Sequence, residues 1–129
     1  MKKLLTSLFI LLSVSSTLLF AASLALANYI QQVEIIVDSY SFKPDTITVE
    51  AGVPVEITLR SIASTTPHDF TINDPESGMR ITQDVKGGRD VTFTFTTENP
   101  GTYEFYCSKK GIFGSSHKEK GMVGTLIVR

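Results

Sequence analysis

The sequence predicts an all-β protein, an antiparallel sandwich or barrel of seven or eight short strands. Three observations carry this reading. Apolar residues recur with a period of two, turn-forming residues punctuate the chain at intervals of about ten, and no helical period of any length appears after residue 27.

The strands can be taken in order. Val33, Ile35 and Val37 open the series, with Glu34 and Ile36 between them. Ile47 and Val49 alternate with Thr46, Thr48 and Glu50, and Val55, Ile57 and Leu59 alternate with Glu56, Thr58 and Arg60. Phe70 and Ile72 mark the next strand, Met79 to Val85 another, and Val91, Phe93 and Phe95 interleave with Thr92, Thr94 and Thr96. Tyr103 to Tyr106 and Leu126 to Val128 complete the set. Each pattern turns one face inward, as a half-buried strand requires. Between them lie Lys43-Pro44-Asp45, Ala51-Gly52, Asn73-Asp74-Pro75, Lys86-Gly87-Gly88 and Asn99-Pro100-Gly101, all residues that favour turns.

The chain has 129 residues, 42% hydrophobic and 19% charged, too short for two ordinary domains and too apolar for disorder. Its 12 basic and 13 acidic side chains nearly balance, which argues against a protein that lives on nucleic acid or anionic lipid. Residues 1–27 hold no acid; Lys2 and Lys3 precede a Leu/Phe/Ile-rich run ending in Ala25-Leu26-Ala27 before the polar Asn28. A basic start, an apolar middle and small residues at alternate positions predict a cleaved export signal peptide over residues 1–27. Leu4 to Leu26 is also long enough for an uncleaved membrane anchor; the Ala-x-Ala step favours cleavage.

Residues 28–129 are then expected to form one domain of net charge −3, periplasmic or otherwise extracytoplasmic, with no membrane span left after cleavage. A domain of about a hundred residues buries only about 60–70% of its unfolded surface and gains from a staple. Cys107 is nevertheless the only cysteine, so no internal disulfide can form. It is an intermolecular link, a free thiol, a buried apolar residue or a metal ligand.

One segment breaks the strand pattern: residues 108–121 are polar, glycine-bearing and long for a connection between neighbouring strands. Cys107 and Met122 bound it, and it contains His117, one of only two histidines. The other, His68, starts a strand just after Pro67. If the loops at one end of the sandwich converge, these four side chains meet. One thiolate, two imidazoles and a weak thioether make the donor set of a mononuclear copper centre for electron transfer. Zinc has little use for Met and its structural sites usually offer more thiolates; calcium and magnesium want oxygen ligands, which do not cluster here. Alternatively Met122 is only core, and water or an oxygen takes the fourth position.

These residues resemble the cupredoxin family of plastocyanin/azurin-like mononuclear copper proteins. The resemblance runs through Ser41-Phe42-Lys43-Pro44, Ile47-Thr48-Val49, Ala51-Gly52, Pro67-His68-Asp69-Phe70, Asn99 to Cys107 and Gly121 to Val128. It implies a Greek-key β-sandwich over residues 28–129, binding one copper ion through His68, Cys107, His117 and Met122. Two departures stand out. Nine residues separate Cys107 from His117, more than in the family's compact loops. Asp69 stands where many small blue proteins have Asn; in the family that position often ties the ligand loops together through the residue after the Cys, here Ser108.

The resemblance implies a one-electron carrier, not an enzyme, cycling Cu(II)/Cu(I) as a monomer between redox partner proteins such as a cytochrome or a membrane oxidase or reductase. The alternative is extracytoplasmic copper binding, sequestration or tolerance through the same site. Oxidases and nitrite reductases on this fold need further histidines, and a binuclear copper-thiolate centre needs a second cysteine. A metal-free adhesion sandwich is the remaining class. Lys109, Lys110, Lys118 and Lys120 ring the loop, either as a partner-steering rim or as an ordinary solvated run. Ile112 and Phe113 are expected to pack back over the site rather than form a docking patch.

Overall fold

The computed structural model describes residues 29–129. The expected signal peptide lies outside them. Nine strands form two sheets: β1 (Gln31–Asp38), β2 (Ser41–Lys43), β3 (Thr46–Val49), β4 (Val55–Ser61), β5 (His68–Asp74), β6 (Met79–Val85), β7 (Asp90–Phe95), β8 (Gly101–Tyr106) and β9 (Val123–Val128). The first sheet runs β2-β1-β4-β7 and the second β3-β9-β8-β5-β6. The predicted sandwich is present, with one strand more than the pattern suggested. That strand is β2, whose three residues are too few to show a period.

Most pairs are antiparallel, but β1 pairs β4 and β3 pairs β9 in parallel. Parallel neighbours need a crossover rather than a hairpin. Here the chain supplies crossovers repeatedly, stepping between sheets from β2 to β3, β3 to β4, β4 to β5, β6 to β7 and β7 to β8.

The inward faces meet in a core that includes Ile35, Val37, Val55, Ile57, Leu59, Ile72 and Leu126. Aromatic rings fill one part of it. Phe70 stacks on Phe105 at 4.8 Å, and Phe42 meets Phe105 edge-on at 5.2 Å, separations typical of favourable aromatic pairs. Gly124, opposite Phe105 in the β8–β9 ladder, makes room for that ring: a Cβ there would lie 2.2 Å from its Cζ.

Candidate metal centre

Strand periodicity carries the donors to the end of the aromatic column. His68 lies two residues before Phe70 on β5, and Cys107 two residues after Phe105 at the end of β8. A period of two puts each on the same inward face as its phenylalanine. All four are buried to 0% exposure. The backbone N–H of Asp69 also points to the Cys107 sulfur, 3.4 Å away.

The loop after Cys107 is folded, which its polar composition did not suggest. Lys110 and Ser116 form a β-bridge, Gly111 N–H donates to the Ser115 carbonyl at 2.8 Å, and His117 N–H donates to that of Lys109 at 2.8 Å. A second turn follows. Ser116 N–H donates to the Glu119 carboxylate at 2.6 Å, and Glu119 N–H donates to the Ser116 hydroxyl at 3.1 Å, the reciprocal pattern of a capping box. These bonds hold the Glu119 carboxyl below its usual range. The chain then returns: Met122 N–H donates to the His117 carbonyl at 3.0 Å, and Cys107 N–H to the Met122 carbonyl at 3.1 Å. The nine residues between Cys107 and His117 thus fold into a small hairpin that sets His117 back beside Cys107.

The donor atoms converge. Nδ1 of His68 and Nδ1 of His117 are 3.1 Å apart. The Cys107 sulfur lies 3.4 Å from His117 Nδ1 and 3.8 Å from His68 Nδ1. The three residues form a buried group whose ligand atoms could hold one metal ion. His68 Nε2 is buried without a hydrogen-bond partner, so the polar interactions of that ring run through Nδ1. Two imidazole lone pairs and a sulfur facing one another leave each other poorly satisfied, because a neutral ring has only one N–H to donate. A shared cation satisfies all three, and bonds of about 2.0–2.3 Å to imidazole and thiolate suit donors this far apart. Met122 is fully buried, and its backbone is tied to both Cys107 and His117.

Burial dominates the electrostatics. Desolvation lowers the pKa of His68, helped by the adjacent His117 ring. It lowers that of His117, with Lys120 adding to the effect. It raises the thiol pKa of Cys107. Each shift favours the neutral form, as expected for uncompensated burial. Without a metal the site therefore stores neutral imidazoles and a protonated thiol.

Several expectations on the neighbouring residues can now be settled. Asp69 is 1% exposed and accepts from both the N–H and the hydroxyl of Ser108, the tie between the ligand loops that the resemblance implies. Ile112 and Phe113 do not pack over the site: they are 98% and 99% exposed, because the Lys110–Ser116 hairpin carries them at its tip. Three of the four loop lysines are engaged. Lys109 pairs with Asp84 at 2.6 Å, Lys118 pairs with Glu104 and sits over Tyr106, and Lys120 sits over Tyr40. Two of the four charges of the rim are thus paired with carboxylates. Tyr40 was not singled out in the sequence, and its neighbourhood offers no motif that would have done so; the Ser116-x-x-Glu119 box was legible as a local signature.

A β-sandwich that brings two imidazoles and a cysteine sulfur to one buried point, from a strand, a strand end and a folded loop, defines a mononuclear metal-binding protein. The chain belongs to the cupredoxin family, since the family model of the cupredoxin-like domain matches residues 7–128. It is 31% identical over 104 residues to plastocyanin of Dryopteris crassirhizoma, an alignment covering 72% of this chain and 92% of that one. Plastocyanin of Prochlorothrix hollandica is 27% identical over 121 residues, covering 89% and 84%. Among solved structures, auracyanin of Roseiflexus castenholzii superposes with a TM-score of 0.65 at 19% identity, covering 77% of this chain and 97% of its own. Auracyanin A of Chloroflexus aurantiacus, a "blue" copper protein, gives 0.63 at 21% identity, covering 78% and 100%.

Proposed function

We propose that the protein is an exported one-electron carrier that binds a single copper ion through His68, Cys107, His117 and Met122. One observation carries the reading: two imidazole Nδ1 atoms and one sulfur, 3.1 to 3.8 Å apart, meet at a buried point. That donor set suits a metal cycling between Cu(II) and Cu(I), with the thioether as a weak fourth ligand. Family membership and the plastocyanin relatives support the same choice.

Copper would supply the one-electron couple; the chain supplies the rest. His68 projects from β5, Cys107 from the residue that follows β8 and His117 from a hydrogen-bonded turn, so the donors are pre-positioned and reorganise little between oxidation states. Burial excludes water from the thiolate. No general acid, base or substrate cleft is needed. The Lys2-Lys3, apolar, Ala25-Leu26-Ala27 order at the start supports export, and a one-electron carrier there would exchange electrons with soluble or membrane-bound redox proteins.

The test is to add Cu(II) to the purified protein and record visible and electron paramagnetic resonance spectra, with Cys107→Ser as control. An intense thiolate-to-copper band, absent from the variant, is expected. A wild-type protein without that band would refute the copper reading.

A further inference from the structure

Tyr40 turns the chain from β1 into β2 with φ of 62°, and it is the one non-glycine residue among those described that adopts a left-handed backbone. An aromatic side chain is disfavoured there, and glycine would serve the turn with less strain. Such a residue persists only where its surroundings over-determine it, and such residues cluster at functional sites. The surroundings here are the two histidines. The phenol ring meets His117 edge-on, 4.9 Å between centroids and 85° between planes, and His68 edge-on at 6.3 Å and 86°.

Lys120 fixes the ring. Its Nζ lies 4.2 Å from the ring centroid and donates to the phenol oxygen at 3.1 Å. Lys120 N–H donates to the His117 carbonyl at 3.1 Å, so the turn that presents the imidazole also presents the cation that holds the tyrosine. Tyr40, His117 and Lys120 border a surface groove of about 720 Å³, together with Pro67, Lys110 and Phe113. Although it borders this groove, His117 is only 3% exposed and Cys107 is fully buried.

We propose that Tyr40, clamped by Lys120, is a positioning residue of the metal centre: its ring covers all but an edge of His117, shuts His68 and Cys107 off from the groove, and fixes the planes of both imidazoles. The role toward a bound metal rests on the copper reading above, whereas the seal is a property of the metal-free chain. A solute small enough to enter the groove therefore meets the phenol and a sliver of His117, and reaches neither His68 nor the thiol.

The experiment measures the rate at which Cys107 of the metal-free protein reacts with an aromatic disulfide reagent, alongside each variant's urea midpoint. Tyr40→Gly deletes the ring at a position where glycine is at ease, so the fold is kept. Its thiol is expected to react at least about tenfold faster than wild type, with the midpoint little changed, because relief of the left-handed strain offsets the lost ring packing and the added freedom of the unfolded chain. Lys120→Met leaves the ring and its backbone alone but removes the clamp; an intermediate rate is expected, while Tyr40→Phe keeps the ring and stays within about threefold of wild type. A Tyr40→Gly rate within twofold of wild type, or a rise that only tracks a fall in the midpoint, would overturn the seal. With copper added, azide should perturb the spectrum of Tyr40→Gly and not of wild type; equal azide binding by both would count against it. Failure of the wild type to form a thiolate-copper band would remove the copper reading alone, because the thiol rates still decide the seal.

Discussion

The carboxylate of Asp69 grips Ser108 twice: Oδ1 accepts the backbone N–H at 2.6 Å and Oδ2 accepts the hydroxyl at 2.5 Å. Asp69 follows His68 and Ser108 follows Cys107, so these bonds tie the two ligand-bearing strands together next to the donors. Hydrogen bonds to an ionised acceptor are the short and strong kind. Lys109 Nζ, 3.9 Å away, offsets part of the charge without replacing the tie.

Asp69→Ala is expected to destabilise the metal-free protein by about 1.5–3 kcal/mol, the range for hydrogen bonds to a charged group, read from urea unfolding. Asp69→Asn keeps the shape but removes the negative charge beside the centre. Because that charge favours Cu(II), the variant's reduction potential should rise above wild type in voltammetry. An equal or lower potential would sink the charge argument.

The buried donors make stability depend on pH from both sides in the metal-free state. His68 and His117 have lowered values, so the unfolded chain takes up protons that the folded chain refuses as pH falls through the ordinary imidazole value of 6.5. Stability is held above that value and lost below it. Cys107 has a raised value, so the unfolded thiol ionises first as pH climbs through its ordinary 9.0, and stability falls again. Urea midpoints should therefore show a plateau between about 6.5 and 9. A profile still flat at pH 5 would refute the burial account of the histidines.

Met122 can be core, ligand or both, and two variants separate these. Met122→Leu keeps the volume and should cost less than about 1.5 kcal/mol in the metal-free protein. Met122→Ala leaves a cavity and should cost about 2–5 kcal/mol. If the thioether also binds the metal, Met122→Leu moves the copper absorption and potential although the fold is barely changed. Unchanged spectra in that variant would leave Met122 as packing only.

How much of this was readable from the residues depended on the kind of signal. Alternation such as Val55-Ile57-Leu59 is a direct imprint of strand geometry, and it located the strands. It says nothing about a neighbour's direction, so the parallel pairs β1–β4 and β3–β9 were not visible. His68, Cys107 and His117 stood out because these residue types are scarce in the chain and chemically specific. Tyr40 did not, because its value comes from a left-handed turn and from Lys120 eighty residues away. Ile112 and Phe113 misled for the opposite reason: apolar type suggested burial, whereas the local hairpin decided their position.

That hairpin tip yields the last prediction. Ile112 and Phe113 are almost wholly exposed, so their apolar surface does little for the fold, and replacing both with Ser should change stability by no more than about 0.5 kcal/mol. An exposed apolar pair beside the groove over His117 suits docking instead, since such surface is often kept for a partner. Electron exchange with a protein redox partner should then slow in the double Ser variant, mainly through weaker binding. Reaction with a small inorganic oxidant should stay unchanged, because that route needs no docking tip. A double variant with a large loss of stability would restore the packing expectation. A double variant that matches wild type with both kinds of oxidant would show that the tip plays no part in recognition.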